Sequence, residues 1–160
     1  MNWLYIIILS VGCASESAPP VDACAPVEVA VDTRTQAMLT LDAGVWVQVQ
    51  SSDREGAWTG FRIRDDGAME RKVDDGEWSA SGRFSPDDLA AVRAVLDTAP
   101  STPGLHRAGG PGADDATQHL VQLASDQGVV AWLATRPCKH DPADALVRAL
   151  APLLSKAVVE

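Results

Sequence analysis

Residues 58–84 read Trp58-Thr-Gly-Phe-Arg-Ile-Arg-Asp-Asp-Gly-Ala-Met-Glu-Arg-Lys-Val-Asp-Asp-Gly-Glu-Trp-Ser-Ala-Ser-Gly-Arg-Phe84, three alternating runs broken by two Asp-Asp-Gly turns. Register decides what this stretch builds, because a slip of one residue sends every side chain to the other face of a sheet. At the first turn a two-residue loop would set Arg62 against Arg71, and like charges directly opposite are destabilising. A three-residue loop, Asp65–Gly67 with Gly67 in the left-handed region, pairs Ile63 with Met69 and Arg62 with Glu70, the pattern of a type I turn followed by a G1 bulge. At the second turn a two-residue Asp75-Gly76 loop sets Val73 against Trp78 and Met69 against Gly82. The resulting meander has an apolar face of Phe61, Ile63, Met69, Val73, Trp78, Ala80 and Phe84, with Arg71 also on it and needing an edge or a partner. The other face carries Arg62, Arg64, Glu70, Lys72, Ser79, Ser81 and Arg83.

The flanks extend this sheet. Val27–Val31 alternates weakly, as a first strand would. Ala37–Leu41, Asp42-Ala43-Gly44 and Val45–Ser51 read as strand, turn and strand, with Val45, Val47 and Val49 on one face and Trp46, Gln48 and Gln50 on the other. Thr117–Ala124 and Val129–Ala134 read as a hairpin around Asp126-Gln127-Gly128, and the Pro/Gly-rich Ser101–Ala116 reads as a flexible loop. Ser85-Pro86-Asp87-Asp88 announces a helix, with Ser at the N-cap, Pro at the first helical position and an acid at the third. Leu89, Val92 and Leu96 follow on one face. Asp141-Pro142-Ala143-Asp144 repeats the logic, and Leu146, Leu150, Leu153, Leu154 and Ala157 form its stripe. Strands and helices are segregated, so the expected class is α+β: an antiparallel sheet with helices over about 86–98 and 142–157 on one face.

Ahead of this region stand the apolar run Trp3-Leu-Tyr-Ile-Ile-Ile-Leu9, then Ser10-Val11-Gly12-Cys13, then an Ala/Ser/Pro stretch to Pro26. An apolar stretch ending at a small residue and a cysteine resembles the export signal of a bacterial lipoprotein. Gly12 fits the family pattern; Ser10 stands where the usual lipobox has Leu, and no Lys or Arg precedes the run. The run is shorter than the roughly 20 apolar residues needed to span a bilayer. The resemblance implies a signal peptide over 1–12, lipidation of Cys13, a tether over 13–26 and one domain over 27–160. It also implies a periplasm-facing protein anchored to the cell envelope membrane by lipid. Ala14 after the cysteine points, by the same resemblance, to the outer membrane. With Cys13 so assigned, Cys24 and Cys138 remain, and an oxidising compartment permits a disulfide between them. That bond would close a loop of roughly 114 residues, for which chain entropy predicts about 4–5 kcal/mol. Two unrelated thiols are the other reading.

The formal charge of −9 argues against nucleic acid as a partner, since that binding rests on Lys and Arg at phosphates. Cys138-Lys139-His140-Asp141 is too small a donor set for zinc, whose sites usually gather three or four ligands at short paired spacings; it reads as a strand-to-helix connection. Gly109–Gly112 lacks the Gly-Lys-Ser/Thr end of a phosphate-binding loop. No serine sits in a nucleophile elbow, so no catalytic residue and no cofactor are assigned, and an enzyme of unknown reaction is a remote reading. Arg62, Arg64, Lys72 and Arg83 share one face with only Glu70 opposing. They form either a docking surface for an anion-rich partner or a face whose acidic neighbours come from elsewhere in the fold.

The run Trp58–Asp97 resembles small exported bacterial domains built as strand, Asp-Gly, strand, Gly-x-Leu-Ser-like turn and helix. Emfourin-like proteinaceous inhibitors of thermolysin-type metallopeptidases share this outline. Gly56-Ala57-Trp58-Thr59-Gly60-Phe61 stands in for their early Gly-Gly-Phe element. The resemblance covers about 40 residues and implies, as an alternative to a binding or interaction domain, a peptidase inhibitor that uses Ser101–Ala116 or Gly56–Gly60 to enter a cleft.

Overall fold

The computed structural model describes residues 27–30, 32–52, 55–108, 118–134 and 142–158. Cys13, Cys24, Cys138 and the Cys138–Asp141 run lie outside the described residues, as does the second half of the Ser101–Ala116 segment, residues 109–116.

The chain forms strand β1 (Val27–Val29), helix α1 (Thr33–Gln36) running into a 3₁₀ turn (Ala37–Leu39), and strands β2 (Val45–Ser52), β3 (Trp58–Arg64), β4 (Ala68–Lys72) and β5 (Ser79–Arg83). Helix α2 (Pro86–Leu96), strands β6 (Gly104–Ala108), β7 (His119–Ser125) and β8 (Gly128–Ala134), and helix α3 (Pro142–Leu154) follow. The described strands make one eight-stranded sheet in the order β1-β6-β8-β7-β2-β3-β4-β5. All pairs are antiparallel except β6 with β8. The class is α+β.

The first meander turn forms with the expected register: Ile63 faces Met69 and Arg62 faces Glu70. Gly67 has φ +86°, and its N–H donates to the Arg64 carbonyl at 3.0 Å. The second turn differs. The Gly76 N–H donates to the Val73 carbonyl, and Asp74 and Asp75 hold φ of 49° and 59°. The turn is therefore centred one residue earlier, on two aspartates, which tolerate the left-handed region better than most residues. Met69 does face Gly82, but a bulge beyond it shifts the register so that Glu70 faces Ala80 and Arg71 faces Ser79. In consequence Trp78 leaves the apolar face and lies over Arg62, 4.8 Å from the guanidinium carbon to the ring centroid. Val73 is 64% exposed, and Ala80 is exposed too.

Both helices cover one face of the sheet. Val47, Val49, Ile63, Met69, Val121, Leu123, Val130 and Trp132 meet Val92 and Leu96 of α2 and Ala143, Leu146 and Leu150 of α3 in the main core. The Ser85 hydroxyl accepts from the Asp88 N–H at 3.2 Å, and Pro86 opens α2, as its sequence required. Helix α3 stops at Leu154, three residues before the expected end, because the chain then turns and Val158 exchanges both backbone hydrogen bonds with Arg83 at the β5 edge.

Two segments depart from the sequence reading. Ala37–Leu41 is not a strand. Asp32 and Thr35 form a capping box, a helical turn follows, and Met38 and Leu39 reach a second, smaller core with Leu105, Leu120, Ala131 and Leu133 on the sheet face away from α2 and α3. Within Ser101–Ala116, residues 104–108 form β6 rather than loop, paired in parallel with β8, and Leu105 is 1% exposed. One apolar residue beside glycines gives no alternating signal; the neighbouring strand creates this one.

Candidate functional site: a cleft beside Trp46

The four cations singled out in sequence lie on the sheet face opposite the long helices, and carboxylates meet each of them. Arg62 is 7% exposed. Its guanidinium pairs with Glu70 and, at 2.6 Å, with Asp42 from the turn before β2. Arg64 stands 3.9 Å from Glu70 and donates to the Ala43 carbonyl at 2.9 Å. Lys72 is 3.9 Å from Asp75, and Arg83 is 3.6 Å from Asp66. Arg62, Arg64 and Glu70 form one cluster; Lys72 and Arg83 each keep a separate partner. A buried cation must be paired; Glu70 comes from β4 as the register predicts, and turns supply the other acids, Asp42, Asp66 and Asp75, which strand alternation does not reveal. The row continues inward: Gln48 donates to Gln122 at 2.7 Å, and Gln122 donates to the Met38 and Thr40 carbonyls at 3.0 and 3.1 Å. This face is an internally neutralised polar ladder tying β7, β2, β3 and β4 to the capped turn beside them.

The side chains gathered around an opening lie elsewhere. The β2–β3 register shifts between Val45 and Val47, so Trp46 is the extra residue of a bulge. A bulge re-aims a side chain, and Trp46 packs toward the α2 side instead of lying with Gln48 and Gln50 as alternation predicts. Above it the Arg93 guanidinium stacks 4.8 Å from the ring centroid and pairs with Asp97 at 3.5 Å. A cleft of about 420 Å³ opens here, lined by Trp46, Arg93, Asp97, Ser101, Asp126 and Gln127 among others. Its walls come from the end of α2 and the β7–β8 turn. Ser125 is already engaged, donating to the Gly128 carbonyl at 2.7 Å, which holds that turn in place. The cleft thus combines one indole with a guanidinium, two carboxylates, an amide and a hydroxyl. Sequence reading missed it because the bulge that turns Trp46 leaves no mark in a Val-Trp-Val-Gln-Val run.

Two further features are smaller. His119 and Ser51 face each other across β7 and β2, with Nδ1 and Oγ 2.8 Å apart. They line an apolar recess of about 210 Å³ against Ala143, Asp144 and Val147 at the start of α3, and Asp144 is held by Arg148. His106 contacts the Thr102 carbonyl at 3.1 Å and lies 6.4 Å from Trp132. Among the described residues no three His, Cys, Asp or Glu gather as a metal site, and no helix is long and apolar enough to cross a membrane.

Two carboxyls are held below the usual range. The Ala68 N–H donates to Asp66, and Arg83 and Arg64 add attraction; Asp88 is lowered by the Ser85 hydroxyl and then by Lys156. Both are turn and cap groups away from the cleft. Of the segments that an inhibitor would present, Gly60 lies inside β3, and five residues of the Ser101–Ala116 stretch, Gly104–Ala108, are bound into the sheet as β6. No family model matches the chain, and no curated protein matches it.

Proposed function

We propose that this protein is a lipid-tethered envelope domain that binds, without transforming, a polar polyhydroxylated ligand such as a stretch of glycan in the cleft beside Trp46. One observation carries the reading: the β2 bulge turns an indole into an opening whose other walls combine hydrogen-bonding side chains of both signs with the apolar Leu96, Ala99, Leu123 and Ala124. Aromatic rings offer flat apolar area with few rotatable bonds. Planar amide, carboxylate and guanidinium groups supply paired donors and acceptors matched to hydroxyls. Binding sites commonly join apolar surface to a few convergent polar groups in this way. The Arg93–Asp97 pair leaves Asp126 as the remaining charge of the lining, which disfavours an anionic ligand. The apolar run ending at Gly12-Cys13 supports the tether and the envelope address.

Two measurements test the reading. Labelled palmitate is incorporated in a bacterium that lipidates such chains and is lost in Cys13→Ser; label that persists in the variant defeats the tether. Insoluble bacterial wall glycan sediments the wild-type protein, and the Asp126→Ala/Gln127→Ala variant stays in the supernatant. Equal sedimentation of both defeats the cleft.

A further inference from the structure

Arg71 is the cation that the sequence placed on the apolar side of the meander, and there it remains. Phe61 faces it across β3–β4 and Ser79 across β4–β5. It is exposed and lies in a groove of about 290 Å³ with Phe61, Met69, Val73 and Leu154. Phe61, Met69 and Leu154 belong to the main core and form the groove's apolar floor where α3 ends. Val73, 64% exposed, stands at its lip. The chain carries 22 Asp and Glu against 13 Lys and Arg. Even so, among the described residues no carboxylate pairs with Arg71, whereas Arg62, Arg64, Lys72, Arg83, Arg93, Arg148 and Lys156 all have one. Arg107 of β6 is the other exposed arginine that no carboxylate meets among the described residues, but it lines neither this apolar groove nor the Trp46 cleft. At Arg71 an unmatched guanidinium over an apolar floor is complementary to an apolar side chain next to a carboxylate.

We propose that the Arg71 groove docks a segment of a partner protein in which apolar residues alternate with Asp or Glu. The apolar residue lies on Phe61, Met69 and Leu154, and its acidic neighbour meets the Arg71 guanidinium. Arginine is suited to the task, since its planar fork grips a carboxylate through two parallel hydrogen bonds. The groove is distinct from the Trp46 cleft, and the two sites share no residue.

The test uses the full chain and a short fluorescein-labelled peptide alternating Leu and Glu, with a Leu/Lys peptide and a Ser/Glu peptide of equal length as comparisons. Anisotropy shows binding of the Leu/Glu peptide alone. Arg71→Glu weakens it at least about tenfold, the effect expected from turning an attraction into a repulsion. Val73→Asp, a change at an exposed position, weakens it in the same direction without altering the melting temperature. Failure of the Leu/Glu peptide to bind overturns the proposal, as does equal binding by Arg71→Glu or equal binding of the Leu/Lys or Ser/Glu peptide. Concentration-dependent dimerisation that Arg71→Glu abolishes also overturns it, because the groove would then be filled by a second copy of the chain. Soluble N-acetylglucosamine oligomer leaves the peptide bound, so loss of this site and loss of the Trp46 site are read separately.

Discussion

The Arg93 guanidinium lies 4.8 Å from the centroid of the Trp46 ring, joining the last turn of α2 to the bulge of β2. This contact sets the height of the cleft wall. Cation–π pairs at exposed sites are worth about 0.5–1 kcal/mol, so Arg93→Ala lowers stability by about that much and opens the space above the indole. Arg93→Lys keeps the charge and loses the flat stack. Thermal unfolding of the two variants beside wild type measures the difference, and an unchanged midpoint for Arg93→Ala would remove the contact from the account.

Among the described glycines, Gly60 is the one where an added Cβ would meet a neighbouring backbone most closely. A Cβ at this position would lie 2.1 Å from the Val49 carbonyl oxygen and 3.0 Å from the Gln50 Cα, both backbone atoms in β2. Gly60→Ala therefore forces β2 and β3 apart in the middle of the sheet. Overpacking of this kind costs about 1–3 kcal/mol or more. Gly56→Ala has space around it but a φ of +90°, so its cost is conformational only, about 1–2 kcal/mol. Denaturant midpoints of the two variants should separate the steric cost from the backbone cost.

Much of the fold was legible because its strongest local signals agree with its tertiary environment. Ser85-Pro86-Asp87-Asp88 starts α2, and Val47 and Val49 enter the main core together, while the bulge at Trp46 separates Val45 from them and sets it opposite Arg64. The choice between two loop lengths at Asp65–Gly67 could be made from charge pairing alone. The failures share a cause too. At Asp74-Asp75 glycine was read as the turn residue although two aspartates take positive φ. At Leu105 the strand exists because β8 offers it a parallel edge. At Met38 and Leu39 a capping box with Thr in place of Glu or Gln concealed a helical turn. Asp42, which joins the expected Glu70 at Arg62, comes from the turn before β2, and the Trp46 cleft depends on a bulge. Non-local partners and bulges leave little trace in a pattern of period two.

Gln122 is 1% exposed and bonds three groups: Gln48 and the carbonyls of Met38 and Thr40. Gln122→Leu preserves approximate volume but strands two carbonyl acceptors and the Gln48 amide. Leaving buried polar groups unpaired costs about 1–3 kcal/mol. Faster hydrogen exchange should accompany the loss, confined first to β7 and β2. Uniform protection in the variant would mean that the ladder does not hold the capped turn to the sheet.

Acid should expose Asp66 and Asp88. Backbone donation from Ala68 lowers Asp66, and the Ser85 hydroxyl lowers Asp88, with Lys156 adding to it. A carboxyl lowered in the folded state contributes stability that is fully present above its unfolded value near pH 4 and is lost as pH falls through the folded value. Stability is thus independent of these two groups between pH 7 and 5 and falls below about pH 4. The Asp66→Asn/Asp88→Asn variant shows a shallower acid limb than wild type in urea midpoints taken across that range.

The central claim, a binding cleft beside Trp46, is tested most directly by titrating the full chain with soluble N-acetylglucosamine oligomer while following tryptophan emission. The account predicts a saturable change with a dissociation constant of about 1 mM or tighter, absent in Trp46→Phe and weakened in Asp126→Ala/Gln127→Ala, two changes on an exposed turn. Emission that stays flat through about 10 mM oligomer, or a change that survives intact in the Asp126→Ala/Gln127→Ala variant, would contradict it.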